Sequence, residues 1–216
     1  MEDAVEIFEA IEAGDVERVR ESARAPEARG ARNAEGVSPL LEACYLGRHD
    51  LVDAILDSDP ELDLFEAAAL GRGERARELL DADPALARGF SPDGYTALAL
   101  ASFFAQAALV RLLLSRGADV TAAARNPMRV MPLHAAAASG QHEIARLLLE
   151  RDAPVDARQQ GGFTALQAAA QNGDEELVDL LLRHRADPAL ANDAGATAAH
   201  LAEQAGHDEL ARRLQP

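Results

Sequence analysis

One glycine keeps returning along this chain: Gly14, Gly47, Gly71, Gly140, Gly173 and Gly206, with Ala105 in the single slot left open, at spacings of 33, 24, 34, 35, 33 and 33 residues. A chain that repeats at this period grows by stacking like units, each too small to bury its own apolar face, and it ends as an open array rather than a closed globule. Seven residues before each turn stand Ile7, Leu40, Leu64, Leu98, Leu133, Leu166 and Ala199. After it come Leu51-Val52 with Ile55-Leu56, Leu109-Val110 with Leu112 to Leu114, Ile144-Ala145 with Leu147 to Leu149, and Leu177-Val178 with Leu180 to Leu182. Apolar residues at i, i+3 and i+4 predict two short antiparallel helices per copy, joined at the glycine.

The connections between copies carry turn residues, as in Arg116-Gly117-Ala118-Asp119-Val120 and Ser91-Pro92-Asp93-Gly94, whose glycine and aspartate suit a tight hairpin. Only 4% of the chain is aromatic and tryptophan is absent, while 48% is hydrophobic, so the core must be built from alanine and leucine. Close stacking of helices through small side chains fits that.

The segments Ser38-Pro39-Leu40-Leu41, Thr96-Ala97-Leu98-Ala99, Met131-Pro132-Leu133-His134, Thr164-Ala165-Leu166-Gln167 and Thr197-Ala198-Ala199-His200 stand in phase with the glycines. Together they resemble the Thr-Pro-Leu-His signature of the ankyrin-repeat family, over essentially the whole chain, and most of all the Ala- and Arg-rich ankyrin proteins of bacteria. The resemblance implies an all-α solenoid of stacked helix-turn-helix units with short β-hairpin-like loops. It also implies that the imidazoles of His134 and His200 tie a hairpin to its neighbour.

One domain is expected, divided as an N-terminal cap (1–32), a shortened second repeat (33–58), repeats at 59–90, 91–123, 124–156 and 157–189, and a C-terminal cap (190–216). The first copy carries Arg18, Glu21 and Ser22 where middle copies carry leucine, and the last ends in Arg212-Arg213-Leu214, as polar-faced caps should. Two copies depart from the period. Only Asp57 to Glu61 stands where a full hairpin would connect the second and third copies, which predicts an interrupted row of hairpin tips. Two extra residues around Asn126 to Val130 predict an enlarged tip on the fifth.

The chain has 21 basic residues, all arginine, against 37 acidic ones, a net charge of −16. DNA or RNA would need a basic stripe, so nucleic acid is disfavoured. The acidity serves solubility or, on a sharper reading, attracts a basic partner. The absence of lysine fits codon bias in a GC-rich bacterium. A lone Cys44 forms no internal disulfide and suits a reducing cytoplasm. The chain opens on an acidic amphipathic helix, Glu2, Asp3, Glu6 and Glu9 outward and Ile7, Phe8 and Ile11 inward, so no signal peptide is expected; no apolar run is long enough to span a bilayer.

Chemistry is hard to find. Gly71-Arg72-Gly73-Glu74-Arg75-Ala76 imitates a dinucleotide fingerprint but follows a helix pattern, where the motif needs a strand. Asp57, Asp59, Glu61 and Asp63 lack the central glycine and closing glutamate of a calcium loop. The histidines have no ligand spacing, and one cysteine cannot build a structural zinc site. Cys44 aligns with Ala68, Ser102, Ala137 and Ala170, which marks a packed thiol rather than a nucleophile. No cofactor, metal or catalytic residue is expected.

The family resemblance implies partner contact through the hairpin tips and the two residues before each turn glycine, on the concave side. Here those pairs are Glu12-Ala13, Tyr45-Leu46, Ala69-Leu70, Phe103-Phe104, Ala138-Ser139, Gln171-Asn172 and Gln204-Ala205; the tips add Val37, Tyr95, Met128, Val130 and Phe163. Exposed aromatics gathered on one surface mark interaction sites. Tyr45, Leu46, Leu70, Tyr95, Phe103, Phe104 and Phe163 are therefore the expected centre of a protein-binding groove, with Met128, Val130, Gln171 and Asn172 around it. A competing account has Phe103 and Phe104 filling the space of the missing hairpin. The expected function is a non-enzymatic adaptor or regulator, cytoplasmic and monomeric when free. The alternatives are a small-ligand binder or enzyme, and a self-assembling element.

Overall fold

The computed structural model describes residues 2–215, with side chains from Val5 onward, so the outward placement expected of Glu2 and Asp3 lies outside the described side chains. Seven helix pairs follow one another among the described residues: α1 (Glu2–Ala13) with α2 (Val16–Ser22), α4 (Pro39–Tyr45) with α5 (His49–Leu56), α6 (Leu64–Leu70) with α7 (Gly73–Ala82), α8 (Ala97–Phe103) with α9 (Ala107–Ser115), α10 (Pro132–Ala138) with α11 (His142–Leu149), α12 (Ala165–Gln171) with α13 (Glu175–Arg183), and α14 (Ala198–Gln204) with α15 (Asp208–Leu214). A short α3 (Pro26–Arg29) and a 3-10 turn at Pro84–Arg88 lie between pairs; both open on a proline, which loses no helical hydrogen bond at a first position. First helices pack on one another in chain order from α4 through α14, and the outer row runs α7, α9, α11, α13.

The turn residue ends each first helix in a left-handed conformation, φ 65–69° at Gly14, Gly47, Gly71, Gly140 and Gly173. At Gly173 space matters as well, because the His207 ring of the next turn lies where a Cβ would sit. Ala105 takes the same conformation at φ 62° while exposed, where an L side chain costs roughly 1–2 kcal/mol. Ala105→Gly is expected to stabilise the protein by about 0.5–1 kcal/mol once the extra unfolded-chain entropy of glycine is offset, read as a higher Tm in a thermal melt; an unchanged or lower Tm would show that the strain is relieved some other way.

Four of the five signature segments begin their helix by capping it, the exception opening on Met131, and Asp63 does the same for α6. Ser38, Asp63, Thr96, Thr164 and Thr197 accept from the backbone N–H three residues on, satisfying a donor the helix leaves orphaned. The fourth signature position then reaches sideways. His134 is buried; its Nδ1 accepts from Met131 N and its Nε2–H donates to Ala157 O at 2.9 Å, so it does tie the next connection in place. Burial lowers its pKa, which keeps the ring neutral. Gln167 does the same with Leu190 O and Ala196 O. His200 departs from the expectation: it is exposed and, among the described residues, bonds only to its own Thr197.

Glu66 occupies this position in the third pair, 6% exposed, with its Oε2 accepting from Asp63 N at 3.1 Å. Burial first, and then the neighbouring Asp63 charge, raise its pKa. A carboxyl whose folded pKa lies above its unfolded value contributes stability that is complete below the unfolded pKa and lost as pH rises through the folded one. Glu66→Gln keeps the capping carbonyl and removes the buried charge. Its Tm should therefore exceed wild type at pH 7, and the difference should shrink as pH falls toward 4; a difference independent of pH would disprove it.

The tips close alike, with Asn33 N donating to Val37 O, Ser91 to Tyr95, Ala124 to Val130, Gln159 to Phe163 and Asn192 to Ala196. The third of these encloses the enlarged loop expected around Asn126. Tips are tied together by Arg125 N to Gly94 O, Gln160 N to Met128 O and Asp193 N to Gly161 O. The expected interruption of the row is corrected by the structure. Residues 57–63 do form only a short link, but the tip around Gly36 rests directly on Pro92, 3.0 Å from where a Gly36 Cβ would stand, so the neighbours close over the missing hairpin.

Among the described residues two buried clusters make the core. One joins Ile7, Ile11, Val19, Leu51 and Ile55 of the first two pairs; the other runs from Leu41 and Leu64 to Leu214. Cys44 packs against both. Burial, with Glu66 nearby, pushes its thiol up to about 12, which suits a packing residue and leaves almost no thiolate at neutral pH.

Candidate binding groove

The short link at residues 57–63 creates the most unusual feature of the tip face. Tyr45 stands at the end of α4, and the equivalent position of α6 is the small Ala69, so the phenol reaches past the third pair to the tip of the fourth. Its hydroxyl donates to Asp93 Oδ2 at 2.8 Å. Asp93 is buried and its other oxygen accepts from Ser91 Oγ. Burial of the hydroxyl end, with the Asp93 charge beside it, raises the Tyr45 pKa well above its ordinary value, so the hydroxyl stays a donor. The ring stacks on Phe104 (centroids 6.0 Å apart, 21° between planes), lies 6.3 Å from Tyr95, and Phe104 in turn meets Phe103 edge-on at 5.2 Å. Such offset and edge contacts are the favoured geometries of aromatic pairs.

Beside this cluster opens a cavity of about 230 Å³, lined by Tyr45, Tyr95, Leu100, Phe103, Met128, Val130, His134, Ala135, Ala138 and Gln159. Its walls are apolar apart from Gln159 and the neutral His134. The expected site residues thus separate. Tyr45, Tyr95, Phe103, Met128 and Val130 come together at the cavity, and Tyr45, Phe103 and Met128 are 39–44% exposed at its mouth. Phe104 is half-buried, packed on the core behind Tyr45. Leu46 is exposed at the turn. Leu70 turns into the N-terminal cluster, Phe163 lies half-buried against Gly161, and Gln171 and Asn172 are exposed further along, Asn172 donating to Ala138 O. None of these last four lines the cavity.

Asp93, which fixes Tyr45, was hidden in the sequence as an ordinary turn aspartate. The 24-residue interval was the signal that could have exposed it, because it brings the second and fourth tips together. The basic tip residue Arg125 stacks on Phe90, 3.9 Å from the ring centroid, a cation–π contact that occupies its charge. The acidic run that lacks the features of a calcium loop accepts ion pairs: Arg20 with Asp57, Arg75 with Glu61 and Arg32 with Asp63.

Helix pairs joined at left-handed glycines, capped at Ser or Thr and locked by signature side chains to the next connection are the architecture that the sequence resemblance implied. The ankyrin-repeat model matches the chain in three overlapping copies, over residues 7–124, 64–159 and 133–215. The chain is an ankyrin-repeat protein. A search of curated proteins finds no match to it. Ankyrin repeats are in general protein-interaction modules, and the fold of this one is the all-α ankyrin solenoid. Among the described residues no helix is long and apolar enough to cross a membrane, and no three metal-ligating side chains converge.

Proposed function

We propose that this ankyrin-repeat protein is a non-enzymatic adaptor or regulator that works in the cytoplasm, free as a monomer, and holds a protein partner in the groove formed by its tips and first helices. One observation carries the reading: Tyr45, Phe103 and Met128, large apolar side chains left open to water, converge on a single cavity in a chain with few aromatics. Aromatic and methionine side chains are enriched where partners bind, and a pocket at the centre of such a patch seats an anchor. The groove is preformed by core packing behind it, so little ordering cost opposes association.

Capture from an extract of the source cells tests it. Wild type should retain a partner that Phe103→Ser/Met128→Ser loses, with both proteins equally folded. Equal retention would reject the groove. A saturable thermal shift with a nucleotide or metal would instead favour a small-ligand site, and light scattering that rises with concentration would favour self-assembly.

A further inference from the structure

The groove has an acidic end. Glu42 precedes Tyr45 by one turn of α4, and its Oε2 accepts from Asn33 Nδ2 at 2.7 Å. Glu12, at the end of α1, and Glu35, on the tip around Gly36, lie close enough for their charges to act on it. Glu42 and Tyr45, three residues apart, share a face of α4, while Glu12 on the first helix of the preceding pair and Glu35 on the tip are exposed. Two other pairs of carboxylates are met by the chain's own arginines: Arg18 lies between Glu6 and Glu9, and Arg213 between Glu175 and Asp179. Among the described residues no arginine pairs with Glu12, Glu35 or Glu42. Partial burial, and then the Glu12 and Glu35 charges, raise the Glu42 pKa, so an arriving cation would relieve an existing repulsion.

The cavity beside this acidic end restricts what can fill it. At about 230 Å³ it falls below the roughly 300–1,000 Å³ of small-molecule sites, and it suits one side chain of a larger partner. A second copy of this chain would bring another −16 of charge toward an acidic groove, which opposes self-association.

Resting on the groove reading above, we infer that the occupant is a polypeptide segment of another protein, with a lysine or arginine set against Glu12, Glu35 and Glu42 and, a few residues along, one aliphatic or aromatic side chain seated in the cavity beneath Tyr45 and Phe103. The cation supplies orientation and a salt-sensitive encounter, and the apolar anchor supplies residence.

Random peptides displayed on phage, selected against the full wild-type chain, test the chemistry without knowledge of the natural partner. Peptides carrying Lys or Arg together with Leu, Met, Phe or Trp should be enriched. The best of them, synthesised and followed by fluorescence anisotropy, should bind Glu12→Gln/Glu35→Gln/Glu42→Gln about tenfold more weakly, a loss near 1.4 kcal/mol. Replacing the peptide's cation by methionine should then cost little more in that variant, the signature of a direct pair, and the salt dependence seen with wild type should flatten. Peptides that need Phe103 and Met128 but carry no cation, or that bind the triple variant as tightly, would overturn this inference while leaving the groove intact. No enrichment, or peptides that bind Phe103→Ser/Met128→Ser as well as wild type, would overturn the groove reading itself. Melts of every variant, expected to match wild type within a few degrees, separate lost contacts from lost folding.

Discussion

Leu148→Ala is expected to destabilise the protein by about 2–5 kcal/mol, with a visibly smaller loss for Leu147→Ala beside it. Leu148 is fully buried in α11, whereas Leu147 is only half-buried. A helix advances about 100° per residue, so of three successive leucines only some can face the stack. In α11 the buried set is Ile144, Ala145, Leu148 and Leu149, the i, i+1, i+4, i+5 face. The same face recurs as Leu109, Val110, Leu113 and Leu114 in α9. Because a stacked pair is held only by its neighbours, a cavity in α11 weakens the contacts of α11 with both α9 and α13. Urea denaturation followed by circular dichroism should show a lower midpoint and, if the stack divides at the weakened pair, a smaller m-value. Equal midpoints for the Leu147 and Leu148 variants would contradict the assigned face.

The period of the glycines made the helix pairs readable, since φ near +65° and the change of chain direction are requirements a sequence displays openly. The enlarged tip was readable for the same reason: extra residues must go somewhere. What a sequence does not display is how neighbours respond to missing residues. The gap at 57–63 implied a broken row of tips, yet Gly36 settles onto Pro92 and Tyr45 crosses to Asp93, contacts between residues far apart in the chain. The site was legible by position, through Tyr45, Phe103 and Met128, but position alone could not sort half-buried from open. Leu70 shares the slot of Leu46 and Phe104, and Phe163 that of Tyr95 and Val130, yet both turn into local packing instead. Chemistry at the signature slot was partly hidden too, because glutamate, histidine and glutamine at Glu66, His134 and Gln167 all serve by hydrogen bonding back to their own cap.

Phe103→Ser should leave stability within about 0.5 kcal/mol of wild type, as surface substitutions do, while Phe104→Ser costs about 2–3 kcal/mol, somewhat under the 3–5 of a fully buried phenylalanine. The two rings are adjacent in sequence and touch edge-on at 5.2 Å, yet they belong to different environments. Phe103 is 44% exposed at the cavity mouth. Phe104 lies against the core and carries the stacked Tyr45 ring. Losing Phe104 therefore removes the support on which Tyr45 spans the short link, and the peptide affinity of the groove should fall with it even under conditions where the variant is still folded. Losing Phe103 should lower affinity with no thermal penalty. The pair thus separates binding from folding at neighbouring positions. Equal destabilisation by both would mean that Phe103 is a filler of the missing hairpin as much as Phe104 is, and the cavity mouth would then offer a partner only Tyr45 as an open aromatic.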